Sequence, residues 1–267
     1  MTVKYNVFVF DPYWDGERKY KQIISEHNMF NLVYDIENAD IAISYGGDGT
    51  LLEMVSMLYQ SGDISTTLVA GLNKGTVGFM ANDMDETDFI DRVLNTIYNT
   101  KYVTERTLFQ VYTDNKLNTL SLNEISIHPV KRGKLFVCDV CVSIPSMDIK
   151  DEHITYKGDG IIVSTSSGST AYNLSTGGPI LTPCSGRVII SPICPFSLAD
   201  RSIVLPSDTE VVITPESEAE VVVDGTSKCI TLRKISVKSH HDKLLLYKRD
   251  NFLKTIQEKL GWNHSIK

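Results

Sequence analysis

A change of rhythm near residue 104 restricts the fold of this 267-residue chain more than any other feature. Before it, short apolar strands alternate with helical stripes. Tyr5–Phe10 is a strand candidate, and Tyr20, Ile23, Ile24 and His27 recur at the i, i+3, i+4, i+7 spacing of one helix face. Residues 40–45 (DIAISY) form the next strand. Leu51, Leu52, Val55, Leu58 and Tyr59 form the next stripe, and residues 67–72 another strand. Asp85 opens a helix with Phe89, Ile90, Val93, Leu94, Ile97 and Tyr98 on one face, and Glu86 and Asp88 suit its positive N-terminal end. Such alternation implies an α/β domain, a largely parallel sheet with flanking helices. After residue 104 strand follows strand: TLFQVYT, LSLNEISIH, KLFVCDVCVSI, GIIVST, RVIISPI, EVVITP, EVVVDG, CITLRKISVK and KLLLYK. Asp224-Gly225 between two apolar strands is a hairpin-turn signal. The expected organisation is therefore an α/β domain over residues 1–103, a mostly-β domain over 104–248, and a C-terminal helix or tail over 249–267. In the last, Phe252, Ile256 and Leu260 share one side, and it would pack on the first domain.

Charge and cysteine use narrow the function classes. The net charge of −7 disfavours a nucleic-acid binder, which needs a basic face for phosphates. No apolar run approaches the roughly 18 residues of a membrane span, and the N-terminal stretch, stopped by Asp11 and Pro12, is a poor secretory signal. A cytoplasmic location is expected. Five cysteines do not make a disulfide framework. Cys138 and Cys141 form a C-x-x-C within a strand, where i and i+3 point to opposite faces, so they read as ordinary strand cysteines. His128, His153, His240 and His241 have no metal-like spacing.

The sharpest motif is residues 46–50, Gly46-Gly47-Asp48-Gly49-Thr50, between a strand and an amphipathic helix. Glycines let backbone bend and approach a ligand, and a helix start offers unpaired N–H groups to a phosphate. A carboxylate beside phosphates is repelled unless it holds a cation or takes a proton from an attacking hydroxyl, and Asp48 reads as such a group. There is no Walker P-loop. Leu52 stands where a dinucleotide fingerprint needs its third glycine, and no H-R-D loop appears.

A series of ordered motifs follows: Gly71-Leu72-Asn73-Lys74-Gly75-Thr76-Val77-Gly78-Phe79, Asn123-Glu124, Lys157-Gly158-Asp159-Gly160 running into IIVSTSSGSTAYNLSTGGP, Pro192-Ile193-Cys194-Pro195-Phe196, Arg201-Ser202-Ile203-Val204-Leu205-Pro206, and Asp224-Gly225. From about residue 40 to 226 this order resembles the NAD kinase family. Similar GGDGT turns occur in lipid kinases and phosphofructokinases; the Asn-Glu pair and the STSSGSTAY segment discriminate. The family commonly has Pro where this chain has Ser166. Losing Pro loosens the local backbone and restores an N–H donor.

The resemblance implies an NAD kinase-like fold and phosphorylation of the 2′-hydroxyl of the adenosine ribose of NAD by ATP, giving NADP, with Asp48 as the base. It implies that Asn123 hydrogen-bonds the adenine and that Glu124 accepts from a ribose. Asp159 would meet the nicotinamide side, its flanking glycines letting backbone come close to the ligand, and Lys157 a pyrophosphate. Ser167, Thr170, Ala171, Tyr172 and Ser175 would line the adenine and ribose pocket, Phe79 would pack on the adenine, and Gly49, Cys194 and Thr226 would border the dinucleotide. Gly46, Gly47, Thr50, Arg132 and Lys134, with Lys131 beside them, are the candidates for ATP phosphates. A divalent cation such as Mg2+, and a homodimer or homotetramer, are implied as well. Two alternatives stay open on the residues: a lipid kinase sharing the turn, although no basic amphipathic stretch is evident, and a non-catalytic dinucleotide-binding regulator, against which Asp48 argues.

Overall fold

The computed structural model describes residues 4–13, 18–62, 64–74, 78–113, 117–131, 133–231, 234–248 and 252–262. Gly75, Thr76, Val77, Arg132 and Asn251 lie outside the described residues. The chain divides into two compact units, Met1–Glu105 with Leu244–Lys267, and Arg106–Lys243.

The first unit contains β1 (Tyr5–Phe10), α1 (Tyr20–Glu26), β2 (Phe30–Val33), β3 (Ile41–Tyr45), α2 (Asp48–Ser61), β4 (Leu68–Leu72) and α3 (Glu86–Leu94). The strands pair in parallel in the order β2-β1-β3-β4, with Val7 opposite Ile41 and Ile41 opposite Leu68. Every residue of β3 is buried, which is why it reads as an unbroken apolar run rather than an alternation. Leu245 and Leu246, from the far end of the chain, continue the sheet beside Leu68 and Val69. The Asp85 carboxylate caps α3 by accepting the Thr87 N–H at 2.8 Å, and the helix buries Phe89, Ile90, Val93 and Leu94. With Val7, Ile24, Ile43 and Tyr247 these side chains form the core of the unit.

The second unit is built from strands. In chain order they are β5 (Val103–Thr113), which starts in the first unit, β6 (Leu117–Ser121), β7 (Glu124–Pro129), β8 (Phe136–Ile144), β9 (Ile149–Gly158) and β10 (Gly160–Thr165). The one-turn helix α4 (Tyr172–Ser175) follows, then β11 (Val188–Ile193), β12 (Ile203–Leu205), β13 (Glu210–Pro215), β14 (Ala219–Val223), β15 (Thr226–Thr231) and β16 (Ile235–Tyr247); α5 (Phe252–Leu260) belongs to the first unit. Among the described residues one antiparallel sheet runs β12-β11-β10-β7-β14-β15, and β16-β13-β8-β9 is the second antiparallel run. Ile125, Ile127, Ile161, Val163 and Val221 of the one pack with Phe136, Val140, Val211, Ile213 and Val237 of the other, a sandwich core. β8 alternates buried and half-buried residues along its length. That places Cys138 in the core and Cys141 on the outer side, as its strand spacing demands.

Three expected strands are redrawn. LSLNEISIH breaks between Ser121 and Glu124. CITLRKISVK is the end of β15 and the start of β16, and KLLLYK continues β16. β2, β9 and β12 have no counterpart in the sequence-based reading. β9 is mostly exposed and lies at a sheet edge, where charged residues (IKDEHITYKG) mask the strand pattern.

Candidate functional site

In the first unit the glycine turn follows β3. The Gly46 N–H donates to Leu72 O at 3.0 Å, and Gly46 O accepts from Lys74 N at 3.2 Å, so the turn is tied to the end of β4. A Cβ on Gly46 would lie 2.2 Å from Thr50 Oγ1, so the close packing on Thr50 requires glycine. Gly47 and Gly49 are different: a Cβ there would meet no protein atom within 4 Å. Their missing side chains leave open the approach to the first turn of α2, where Gly47 supplies no side-chain cap to the helix N–H groups.

Asp48 is the first residue of α2 and half-buried. Its Oδ2 accepts the Phe79 N–H at 2.6 Å, and its Oδ1 accepts those of Met80 at 3.1 Å and Ala81 at 2.9 Å. The carboxylate thus holds the GF segment against the turn, and Phe79 is half-buried beside it. An ionised carboxylate offers about four lone-pair sites; three are used here, and one on Oδ2 remains.

In the second unit the Asn-Glu pair sits where the strand breaks. β6 ends at Ser121 and β7 begins at Glu124, so Leu122 and Asn123 form a bend. A single carboxylate makes that bend. Asp224 Oδ1 accepts from Ser121 Oγ (2.8 Å), Asn123 N (2.8 Å) and Glu124 N (3.1 Å), and Oδ2 accepts from Leu122 N (2.8 Å). Asp224 and Gly225 have φ of 47° and 76°, the left-handed pair of a tight hairpin turn between β14 and β15. Residues 165–170 press on the same bend. Thr165 N donates to Asn123 O at 2.8 Å, Thr165 Oγ1 donates to Leu122 O at 2.6 Å, and a Cβ on Gly168 would lie 2.2 Å from Asn123 O.

Among the described residues, six buried side-chain polar atoms have no hydrogen-bond partner, and three of them, Asn123 Oδ1, Glu124 Oε2 and Ser167 Oγ, belong to the segments that meet at this bend. Buried polar groups are normally paired, so three together mark a place for a polar ligand. Burial, and secondly the Asp224 carboxylate, push the Glu124 carboxyl up to about 8, against one N–H bond from Tyr172. Burial raises Asp224 too, opposed by its four donors.

The remaining sequence-designated residues are placed as follows. Thr170 is buried, Ala171 half-buried and Ser175 exposed. Tyr172 is 37% exposed, its ring stacked at 21° and 6.1 Å on His128. Lys157 and Asp159 are exposed around the β9–β10 turn. The glycines flanking Asp159 make room for protein rather than for a ligand: a Cβ on Gly158 would lie 2.7 Å from Ile193 O, and one on Gly160 2.5 Å from Ile127 O. Cys194 is exposed with a left-handed φ of 44°, and Thr226 is exposed at the start of β15. Lys134 lines a pocket of about 440 Å³ with His128, Gly133, Asp159 and Glu220.

Ser166, which stands where the family commonly has Pro, is tied to its surroundings through its hydroxyl. It is fully buried, and its hydroxyl accepts from Arg187 N (2.8 Å) and Ser185 Oγ (2.9 Å) and faces Arg187 O at 3.3 Å.

Asp224 appears in the sequence as a turn signal and as the last of the ordered motifs, and its clasp on residues 121–124 is invisible there. Asn173 is also missed. Its Nδ2 donates to Ser169 O and Pro179 O, its Oδ1 accepts from Ser191 Oγ at 2.7 Å, and Gly178 lies so close that a Cβ would fall 2.0 Å from Oδ1. Among the described residues His240, His241 and Asp242 bring one ligand-type atom each within 4.8 Å of one another, despite their unpromising spacing. The Asp242 carboxylate already pairs with His241 at 3.1 Å.

A model of the ATP-NAD kinase C-terminal domain matches residues 122–239. The NAD kinase of Caldicellulosiruptor saccharolyticus is 33% identical over 233 residues, covering 85% of this chain and 84% of the relative. A crystal structure of yeast NADH kinase complexed with NADH superposes with a TM-score of 0.81 at 21% identity, covering 99% of this chain and 89% of that one. An NAD kinase from Archaeoglobus fulgidus in complex with ATP gives 0.76 at 23%, covering 96% and 98%. At these identities the two structures establish the shared fold.

Proposed function

The chain belongs to the NAD kinase family, and on that premise we propose that it transfers the terminal phosphoryl group of ATP to the 2′-hydroxyl of the adenosine ribose of NAD, making NADP. The observation that carries this reading is the set of buried, unpartnered atoms Asn123 Oδ1, Glu124 Oε2 and Ser167 Oγ. An adenine amino group is a donor for the Asn123 carbonyl, and a nucleoside sugar supplies partners for the other two. Thr170, Ala171, Tyr172 and Ser175 give the walls of the nucleoside pocket. Phe79 packs on the adenine, Lys157 meets the pyrophosphate, and Asp159 the nicotinamide side, with Cys194 and Thr226 at the border.

The turn of Gly46, Gly47, Gly49 and Thr50 gives ATP phosphates an approach to the start of α2, where the missing side chains of Gly47 and Gly49 leave room, assisted by Arg132 and Lys134. A cation such as Mg2+ arrives with those phosphates as part of the substrate and keeps mostly phosphate and water oxygens. Asp48 acts on the acceptor hydroxyl. A ribose hydroxyl is a far weaker acid than a carboxylic acid. Asp48 therefore orients it through the open lone pair of Oδ2 and takes the proton late, while bonding to the entering phosphorus is already under way. The three amides on Asp48 keep that lone pair aimed.

The test is NAD phosphorylation by the purified protein and by Asp48→Asn, alongside equilibrium binding of NAD. The variant is expected to bind NAD and to lose turnover by roughly 10²–10⁴. Full turnover in Asp48→Asn removes the assigned role. A cytoplasmic homodimer or homotetramer is part of the same proposal, and sedimentation of the active enzyme as a monomer rejects that part.

A further inference from the structure

Two acids meet at the bend of residues 121–124, and they are treated unequally. Asp224 receives four donors: three backbone N–H groups, from Leu122, Asn123 and Glu124, and the Ser121 hydroxyl. An N–H can only donate, so these bonds occupy lone pairs on both oxygens and favour the ionised form of Asp224. Glu124 has only the lowering influence of the Tyr172 backbone N–H nearby, and its Oε2 is buried with no partner. Two ionised carboxylates side by side in a buried place repel each other, and the proton goes to the acid with fewer donors. Resting on the NAD kinase reading above, we infer that Glu124 recognises the dinucleotide as an undissociated acid, donating the proton on Oε2 to an uncharged oxygen or nitrogen of the nucleoside, while Asp224 carries the negative charge of the pair.

This reverses the acceptor role that resemblance assigns to Glu124. It also explains the orphaned atom. A proton on Oε2 has no acceptor within the protein, so a ligand lone pair satisfies it. The neutral acid adds no third negative charge where a pyrophosphate must also approach. The groups facing Glu124 are few. Asp224 comes from the β14–β15 turn, and α4 offers Tyr172, whose hydroxyl is itself raised by burial and by Cys194, Asp159 and Glu124. Opposite on β10 stands Ser164, which does not titrate. The push of Glu124 up to about 8 agrees with this geometry.

Two measurements test it. The first is the carboxyl-carbon NMR titration of the ligand-free protein, with the Glu124 resonance identified by its absence in Glu124→Gln. A midpoint near 8 supports the inference, and a midpoint below 6 overturns it. The second is NAD affinity by equilibrium binding from pH 6.5 to 9.5. If only the protonated form binds, wild-type affinity falls about thirty-fold between pH 7 and 9.5, as linkage to a group titrating near 8 requires. Glu124→Gln keeps an N–H donor and a carbonyl for the Tyr172 N–H. It is expected to bind within about three-fold of wild type at pH 7 and to show a flat profile. Tight wild-type binding that is flat to pH 9.5, or a Gln variant weakened more than tenfold at pH 7, overturns this inference and leaves the kinase reading standing. Failure of the wild type to bind NAD at any pH overturns the kinase reading and the donor role with it.

Discussion

Gly168 lies against the main chain of Asn123 so closely that a single added carbon would sit 2.2 Å from the Asn123 carbonyl oxygen. Neither backbone is at a flexible tip. Thr165 bonds the same bend from one side, and Asp224 holds it from the other. Gly168→Ala therefore displaces either the bend or the turn carrying Ser167. The expected cost is about 1–3 kcal/mol of stability, measured by urea unfolding, with a KM for NAD raised tenfold or more. A variant with unchanged KM removes the link between this packing and the nucleoside pocket.

Asp48 is expected to have a structural effect separable from its effect on turnover. Its carboxylate is the acceptor for the N–H groups of Phe79, Met80 and Ala81. Asp48→Ala leaves all three without it and loses about 1–3 kcal/mol, whereas Asp48→Asn retains one carbonyl oxygen and loses less. Thermal unfolding of the two variants side by side checks the order.

Ser166 supplies a third prediction, against intuition about proline. Restoring the family's Pro removes the hydroxyl that accepts from Arg187 N and Ser185 Oγ. Ser166→Pro is expected to be less stable than wild type by about 1–2 kcal/mol, and Ser166→Ala to lose a similar amount. A Pro variant more stable than wild type shows that ring stiffness outweighs the hydrogen bonds.

Glu124 also gives a pH dependence of folding. Its carboxyl is raised in the folded state, to about 8 from 4.5. Between those values the native protein holds a proton that the unfolded chain has released, so the contribution is complete below pH 4.5 and is lost as pH rises to 8. At about 1.4 kcal/mol per unit the loss is several kcal/mol as an order of magnitude. Glu124→Gln carries no such term. Its stability relative to wild type should rise from pH 4.5 to 8 and level off above, read from urea midpoints at each pH.

Local features of the fold were legible because local chemistry decides them. The buried run of β3, the Asp85 cap of α3 and the Asp224-Gly225 turn each follow from a few adjacent residues. The break at Leu122-Asn123 falls inside LSLNEISIH, which reads in the sequence as one continuous strand. Its cause, Asp224, lies about a hundred positions away, and no spacing rule connects the two. β9 escaped notice because an edge strand carries charge where an inner strand carries valine. Asn173 is hidden by its letter: a buried asparagine bonding three carbonyl or hydroxyl partners looks like any loop residue until Gly178 is seen packed on it. Glycines that serve close packing, as at Gly158 and Gly160, look in sequence like glycines that serve a ligand.

The first unit is discontinuous, taking back residues 244–267 after the second has been completed. A ribosome making this chain therefore releases the opening half with one flank of its sheet still bare, waiting for Leu245 and Leu246 to be translated. The interrupting half is uninterrupted in itself and is free to fold first. For the nascent polypeptide, the segment synthesised earliest completes its sheet only once Leu245 and Leu246 have been made, and a stop codon before them would leave that sheet unfinished.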